Sequence, residues 1–311
     1  MRMSIWSYRN HQQPKTDTRA SGRMKIILSR KGIDSGALSG KMASPILPCG
    51  CLCSIPIPYR CGISYSDVHF GTRSFQQIIR ELNPRWSNRL AHLDPDLRRD
   101  AVTSRPSGWR LAFGQIGAAA GHLINQGVGV GDLFVFFGWF RRTIEQNGKL
   151  TFDPQDVHGR HIVFGWLEIG HMIDSLPLPK GLHSLSDHPH VQFFEDEVHP
   201  NRIYVSSLSG LKAGTFQTER EGIVLTRNGG KRSKWLLPVA FESLFLKRDL
   251  SYHGNEARWD REGDKIALQS VRRGQEFALD GKRHPKIRDY FLSRIRSASA
   301  AVPCRSAHQF H

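Results

Sequence analysis

The sequence predicts an α+β fold, a mixed and mostly antiparallel β core closed part-way as a barrel, with flanking helices packed outside it. Two apolar runs, Leu133 to Phe137 and His161 to Gly170, have the length and the β-branched or aromatic content of buried strands. The segment between them, Thr143 to Arg160, is polar, turn-rich and too irregular for a crossover helix, so the runs are expected to pair antiparallel. Helix-like stretches beginning at Ser74, Gln115, Pro238 and His284 fall singly among the strand-like ones.

The densest stretch is Phe113 to Arg142, rich in glycine, aromatics and oddly placed polar groups. Gln115 to Gln126 is alanine-rich, with Ile116, Ala119, Leu123 and Ala120, Ile124 at helical spacing, and reads as one short amphipathic helix. Gly127 stops it, Val128 to Gly131 turns the chain, and Asp132 leads into the apolar strand. His122 and Asn125 then lie near the helix end, with Trp139, Arg141 and Arg142 at the far end of the strand. Packed together they would border one cleft; the plainer reading is that the glycines only turn the chain and Trp139 fills a core. No phosphate loop is present, because the order is helix into strand and no Gly-Lys-Ser/Thr follows.

Along the chain, Lys25 to Ser29 is a first strand running into a basic, glycine-bearing turn with Arg30 and Asp34, a candidate acid or base that would otherwise cap the turn. Ser44 to Pro48 and Ser54 to Pro58 alternate proline with apolar residues and read as edges outside any central ladder. Ser74 caps a helix to Leu82 with Phe75, Ile78 and Ile79 inward. Asp94-Pro95-Asp96 reads as a turn before it reads as a cation site, and Trp109 sits in the loop that follows. His188-Pro189-His190 places two imidazoles two residues apart, read as surface histidines rather than ligands. Asn201 to Ser207 and Gly222 to Arg227 look like strands, Pro238 to Leu246 and His284 to Ile295 like helices, and Ser251 to His253 like a loop. Cys49, Cys51, Cys53 and Cys61 lack zinc-knuckle spacing and fit buried thiols of a reducing compartment. Neither a metal site nor a cofactor is expected.

Among 311 residues one domain is expected, from Met24 to Arg296, between a disordered basic extension (1–23) and a disordered tail (297–311). A formal net charge of +16 makes a polyanion, nucleic acid or nucleotide, the first partner to consider. No apolar run approaches membrane length, so a cytoplasmic protein without membrane contact is expected.

Several runs in order, Met24-Lys-Ile-Ile-Leu-Ser-Arg-Lys-Gly-Ile-Asp34-Ser, Ser44-Pro-Ile-Leu-Pro, Leu93-Asp-Pro-Asp-Leu, Asn125 to Arg141, Phe164-Gly-Trp-Leu, His188-Pro-His and Arg273-Gly-Gln-Glu-Phe, resemble the third of the nucleotide modification associated domain families. The resemblance spans Met24 to Asp280. Where the family pattern has an acid and glycine near Cys49 and Gly50, this chain has cysteine. The resemblance implies a role beside enzymes that alter nucleic-acid bases, in phage and bacterial modification or defence, and supplies no known reaction. The central block alone is similar to EVE, ASCH and PUA-like barrels, which bind modified or flipped bases.

Two readings follow. A non-catalytic reader would hold a base against Trp139, Trp109 or Trp166, for about 1–3 kcal/mol of stacking, with His122, Asn125 or Gln115 on its edge. A group-transfer or hydrolytic enzyme on nucleotides would use Asp34 as acid or base, His122, His190 or His253 as relay, and Arg30, Arg141 or Arg273 as an anion clamp. No nucleophile elbow, dinucleotide fingerprint or zinc deaminase pattern is present, and the sequence leaves the choice between enzyme and reader open.

Overall fold

The computed structural model describes residues 24–34, 42–60, 62–86, 90–271 and 276–300. Nine strands form the main sheet: β1 (Lys25–Arg30), β2 (Ser44–Ile46), β3 (Ala112–Ile116), β4 (Leu133–Gln146), β5 (Lys149–Phe152), β6 (Arg160–Ile173), β7 (Asn201–Ser206), β8 (Ala213–Thr215) and β9 (Glu276–Asp280). Its path is β9-β1-β4-β6-β7-β3, with β2 and β5 also on β4 and β8 on β6. Only β1 and β2 pair parallel to β4; every other pairing is antiparallel, so the architecture is the α+β, mixed and mostly antiparallel core the sequence predicts. Around it lie α1 (Phe75–Leu82), α2 (Gly117–Asn125), α3 (Pro189–Glu195), α4 (Glu242–Lys247) and α5 (Pro285–Ser299). Among the described residues no helix is long and apolar enough to cross a membrane.

The long strand β4 carries the core. Leu133 to Phe137 are buried on both faces, as two-sided cover requires. Phe134 and Phe136 meet Phe113 of β3 at 4.9 and 5.2 Å, whereas Phe137 meets Trp235 and Phe277 at 5.2 and 6.0 Å. Because β3 is three pairings away from β4, the Phe113 contacts mean that the sheet curls strongly upon itself. The edges β3 and β9 do not pair, so the sheet is not closed into a barrel. Side chains join them instead: Glu276 of β9 accepts from Gln115 of β3 at 2.6 Å and from Lys31, just past β1, at 2.9 Å.

Several local expectations are corrected. Gln115 is in a strand, not a helix; Gly117, at φ +59°, ends β3, and α2 starts only there. Strand β4 continues nine residues beyond Phe137 to Gln146, through a hairpin into β5, where an irregular excursion was expected. It passes Gly138, where a Cβ would stand 2.6 Å from the Lys31 carbonyl, so only glycine admits the neighbouring chain. Ser44–Ile46 is an edge of the main sheet, as its proline predicts, and there the missing N–H of Pro45 costs nothing. Gly222 to Arg227 makes only isolated bridges, from Val224 to Ile162 and from Thr226 to Trp235. The final helix runs to Ser299, past the expected start of the tail.

A second core under α1 holds Ile33, Cys51, Cys53, Ile55, Phe75, Ile78, Ile79 and Ala91. A third, under α3, holds Ala112, Leu185, Val191, Phe194, Ile203 and Val205. Cys51 and Cys53 are packed thiols, and burial pushes Cys53 up to about 12.

Replacing Glu276 with Ala would leave the buried ammonium of Lys31 without its carboxylate and the curl without its clasp. The expected loss is about 3–5 kcal/mol of unfolding free energy, the range for breaking a buried ion pair. Urea denaturation of the full chain measures it, and a loss below about 1 kcal/mol, as for an exposed pair, would show that the clasp contributes little.

Candidate active site

The second and third cores meet beside the edge strand β3, and there the chain assembles a buried polar cluster. Ala91 belongs to the second core and Leu97 to the main one, so the backbone between them must cross the boundary carrying His92 and Asp94. From the other side, His188 caps α3, its Nδ1 accepting the backbone N–H of His190 at 3.2 Å, while Val191 fills the third core. Asp94 is 9% and His190 2% exposed.

Asp94 is the centre of this group. Its Oδ1 accepts the Gly114 N–H of β3 at 2.7 Å and lies 3.7 Å from His188 Nε2. Its Oδ2 lies 3.4 Å from His190 Nε2 and 3.8 Å from His92 Nε2. Gly114 is required by contact rather than conformation, since a Cβ there would fall 2.2 Å from the His190 ring. His190 Nδ1 is held at 2.8 Å by Asn201 Oδ1, and the amide of Asn201 is oriented by donating to the His190 carbonyl at 2.9 Å.

Burial disfavours charge on the imidazoles, lowering His92 to about 4 and His188 to about 3. Burial alone would raise Asp94; a hydrogen or positive charge presented by the facing His190, with smaller pulls from His188 and His92, is what brings it down to about 2 and keeps the carboxylate ionised. Two residues on, burial pushes Asp96 up to about 7 against the pull of Arg105, which grips it at 2.7 and 2.8 Å.

Asp94 and Asp96 border a cavity walled by Phe70, Phe75, Phe164 and Phe216, with Gln217 and Arg98 among its polar groups. Phe164 reaches it as the extra residue of a β-bulge, between Val163 opposite Phe137 and Gly165 opposite Phe136; bulges of this kind re-aim a side chain beside a site. His188 and Asp96 also line a neighbouring cleft with Trp109 and Arg105.

The residues expected from sequence are distributed over separate neighbourhoods. Asp34 is paired with Arg30 and lies 3.6 Å from Arg232, which covers Trp139 at 4.2 Å. Trp139 donates to the His158 carbonyl, and Arg141 to that of Asp156. His122 contacts Ser251 at 3.1 Å and lies tilted against Tyr252, Asn125 is exposed, and Gln115 is committed to Glu276. Trp109 is buried with Arg105 over its ring at 4.2 Å, and Trp166 donates to the Leu211 carbonyl. Arg273 lies outside the described residues. His253 is fully buried, Nδ1 2.9 Å from the Ser251 carbonyl and Nε2 accepting the Val271 N–H at 3.3 Å, a bridge between two stretches of backbone.

The reading of His188 and His190 as surface residues is corrected, since both are buried, and Asp94 is a hydrogen-bonded centre rather than only a turn residue. His92 and Asn201 were missed. The available signal was that two of the runs carrying the family resemblance, around Asp94 and around His188-Pro189-His190, are both rich in ligand-type side chains and far apart in sequence.

Curled sheet, buried carboxylate and histidine-backed cavity define an α+β protein with a pre-formed polar site at the junction of its cores. The family model for nucleotide modification associated domain 3 matches residues 25–280, and the chain belongs to that family. No curated protein and no solved structure matches it.

Burial lowers His253 to about 4, so the folded protein holds it neutral while the unfolded chain protonates it near 6.5. Its contribution to stability is therefore complete above about pH 6.5 and is lost as pH falls toward 4, by at most about 1.4 kcal/mol per pH unit. In His253→Leu, urea unfolding between pH 4 and 7 should show a flatter pH slope by up to that amount. An unchanged slope would show that this ring is not held neutral.

Proposed function

We propose that this protein is an enzyme acting on a nucleotide or a nucleic-acid base, with the chemistry at Asp94 and the substrate ring in the phenylalanine-walled cavity. The observation that carries this reading is an ionised carboxylate bordering an apolar cavity and backed by three imidazoles held in place by hydrogen bonds and packing. Flat aromatic walls suit a base, and an ionised carboxylate beside them can accept a hydrogen bond from a base N–H or from an attacking water. Asp94 takes the place that Asp34 was expected to fill: Asp34 is occupied by two guanidinium groups, and among the described residues no histidine pairs with it.

A reader is less well supported, because the tryptophans that would stack a base already carry Arg232 or Arg105 on a ring face or lie buried in the core. The Arg30, Asp34, Arg232 and Trp139 group is assigned instead to contact with a phosphate backbone, which the +16 charge favours. Membership of a nucleotide modification associated family makes a nucleotide or a nucleic acid the natural source of substrate.

The test is mass spectrometry of nucleosides, nucleotides and single- and double-stranded oligonucleotides, with plain and modified bases, after incubation with the full chain. A mass change that falls at least about 100-fold in Asp94→Asn is expected. Tight binding of a modified base with no mass change, unaffected by Asp94→Asn, would replace the enzyme with a reader.

A further inference from the structure

We propose that His92, Asp94 and His190 form a binding site for a divalent transition-metal ion such as zinc or iron, with Nε2, Oδ2 and Nε2 as ligand atoms. These three residues bring their ligand atoms within 4.8 Å of one another. Two imidazoles and one carboxylate are a donor set that suits zinc or ferrous iron and leaves coordination positions for substrate or water.

The tautomer of His190 is the first argument. Asn201 donates its amide N–H to the His190 carbonyl, so its oxygen faces the ring and Nδ1 must carry the hydrogen. The lone pair of Nε2 is thereby aimed at Asp94, the orientation that outer partners impose on metal-binding histidines. Asp94 Oδ2 is the second. Its partner oxygen is held by Gly114 N–H, and Oδ2 faces His190 and His92 at 3.4 and 3.8 Å.

Two acceptors face to face repel unless a cation stands between them. A proton would draw them to about 2.7–2.9 Å as a charge-assisted hydrogen bond. Ligands about 2.1 Å from a tetrahedral ion lie instead about 3.4 Å apart, which is the Asp94 to His190 separation. His92 is the third argument: it is buried, and among the described residues its Nδ1 has no hydrogen-bond partner, so hydrogen bonding at that atom does not explain its presence. Its ring is stacked on Phe193 and tilted against His190, aligned by packing alone. His188 is excluded from the ligand set. Its Nδ1 already accepts the His190 N–H, which puts the hydrogen on Nε2, so it supports the Asp94 carboxylate from outside.

The metal assignment stands on this geometry; its use in chemistry rests on the reading of the cavity as an active site. The experiment loads the metal-stripped full chain with Co²⁺ or Zn²⁺, with Mg²⁺ as a hard-cation control. Metal content after gel filtration, the visible spectrum of the cobalt form and titration calorimetry are then read. One Zn²⁺ or Co²⁺ per chain is expected, with Mg²⁺ not retained. Affinity should fall at least about tenfold in His92→Gln and in Asp94→Asn, with circular dichroism confirming the fold, and should persist in the exposed-histidine control His183→Gln. Absence of a stoichiometric ion, equal retention of Mg²⁺, or unchanged affinity in both folded variants would overturn the site. Stoichiometric metal without any change to nucleotides keeps the site and removes the enzymatic reading, whereas activity lost in Asp94→Asn with no metal bound does the reverse.

Discussion

The clasp at Glu276 is the interaction on which the rest depends. A six-strand path with unpaired edges has no backbone reason to stop curling at one radius. One carboxylate on the edge strand β9, which receives Gln115 from the opposite edge β3 and Lys31 from the end of the adjoining β1, sets that radius, since all three polar groups are buried and none can turn to water. The clasp residues adjoin the site in sequence. Gly114, which holds Asp94, precedes Gln115, and Gly32, which lines the cavity, follows Lys31. Relaxing the curl would therefore displace both a hydrogen bond to the central carboxylate and a wall of the cavity.

Placing the site at the meeting of three cores has a physical consequence. His92 and His190 are anchored by apolar neighbours in different cores, Ala91 and Val191, and Asn201 fixes the His190 ring by a hydrogen bond, so these two rings rest on packed elements rather than on loops. Such anchoring leaves little room for adjustment, and Gly114 shows it: the His190 ring lies where any larger residue would put its Cβ. A site built on packed elements is pre-organised, and its groups do not need to be ordered when substrate arrives.

Much of the fold was legible because it rests on local signals. The run of phenylalanines in β4, the apolar run of β6, the cap and stripe of α1 and the punctuation by Gly127 all report local burial or turns, and the antiparallel pairing of β4 with β6 followed from the segment between them. What was not legible depends on partners distant in sequence. The boundary between β3 and α2 is set by pairing of Ile116 with Asn201, invisible in an alanine-rich window. The site failed for the same reason. Asp94-Pro95-Asp96 and His188-Pro189-His190 each look like turns alone, and only a fold that sets α3 against β3 makes them neighbours. Asp34 and His253 are polar residues at loop-like positions of the sequence, but their chemistry is consumed by Arg30, Arg232, Ser251 and Val271.

Charge decides how such a site can meet its substrate. The chain carries an excess of 16 positive charges, which draws phosphate-bearing molecules toward it, yet the cavity is bordered by an ionised carboxylate, and burial disfavours charge on His92 and His188 behind it. An anion entering that cavity meets repulsion that the low dielectric magnifies. The nearby cations are already paired, Arg98 on the cavity wall with Asp100, Arg105 with Asp96 and Lys31 with Glu276. Two arrangements resolve the conflict. Either the uncharged base alone enters, with the phosphates left on the basic surface, or a cation at Asp94 reverses the local sign. The aromatic walls favour the first and the facing acceptors of Asp94 and His190 the second; a base inserted edge-on toward a bound cation would satisfy both at once.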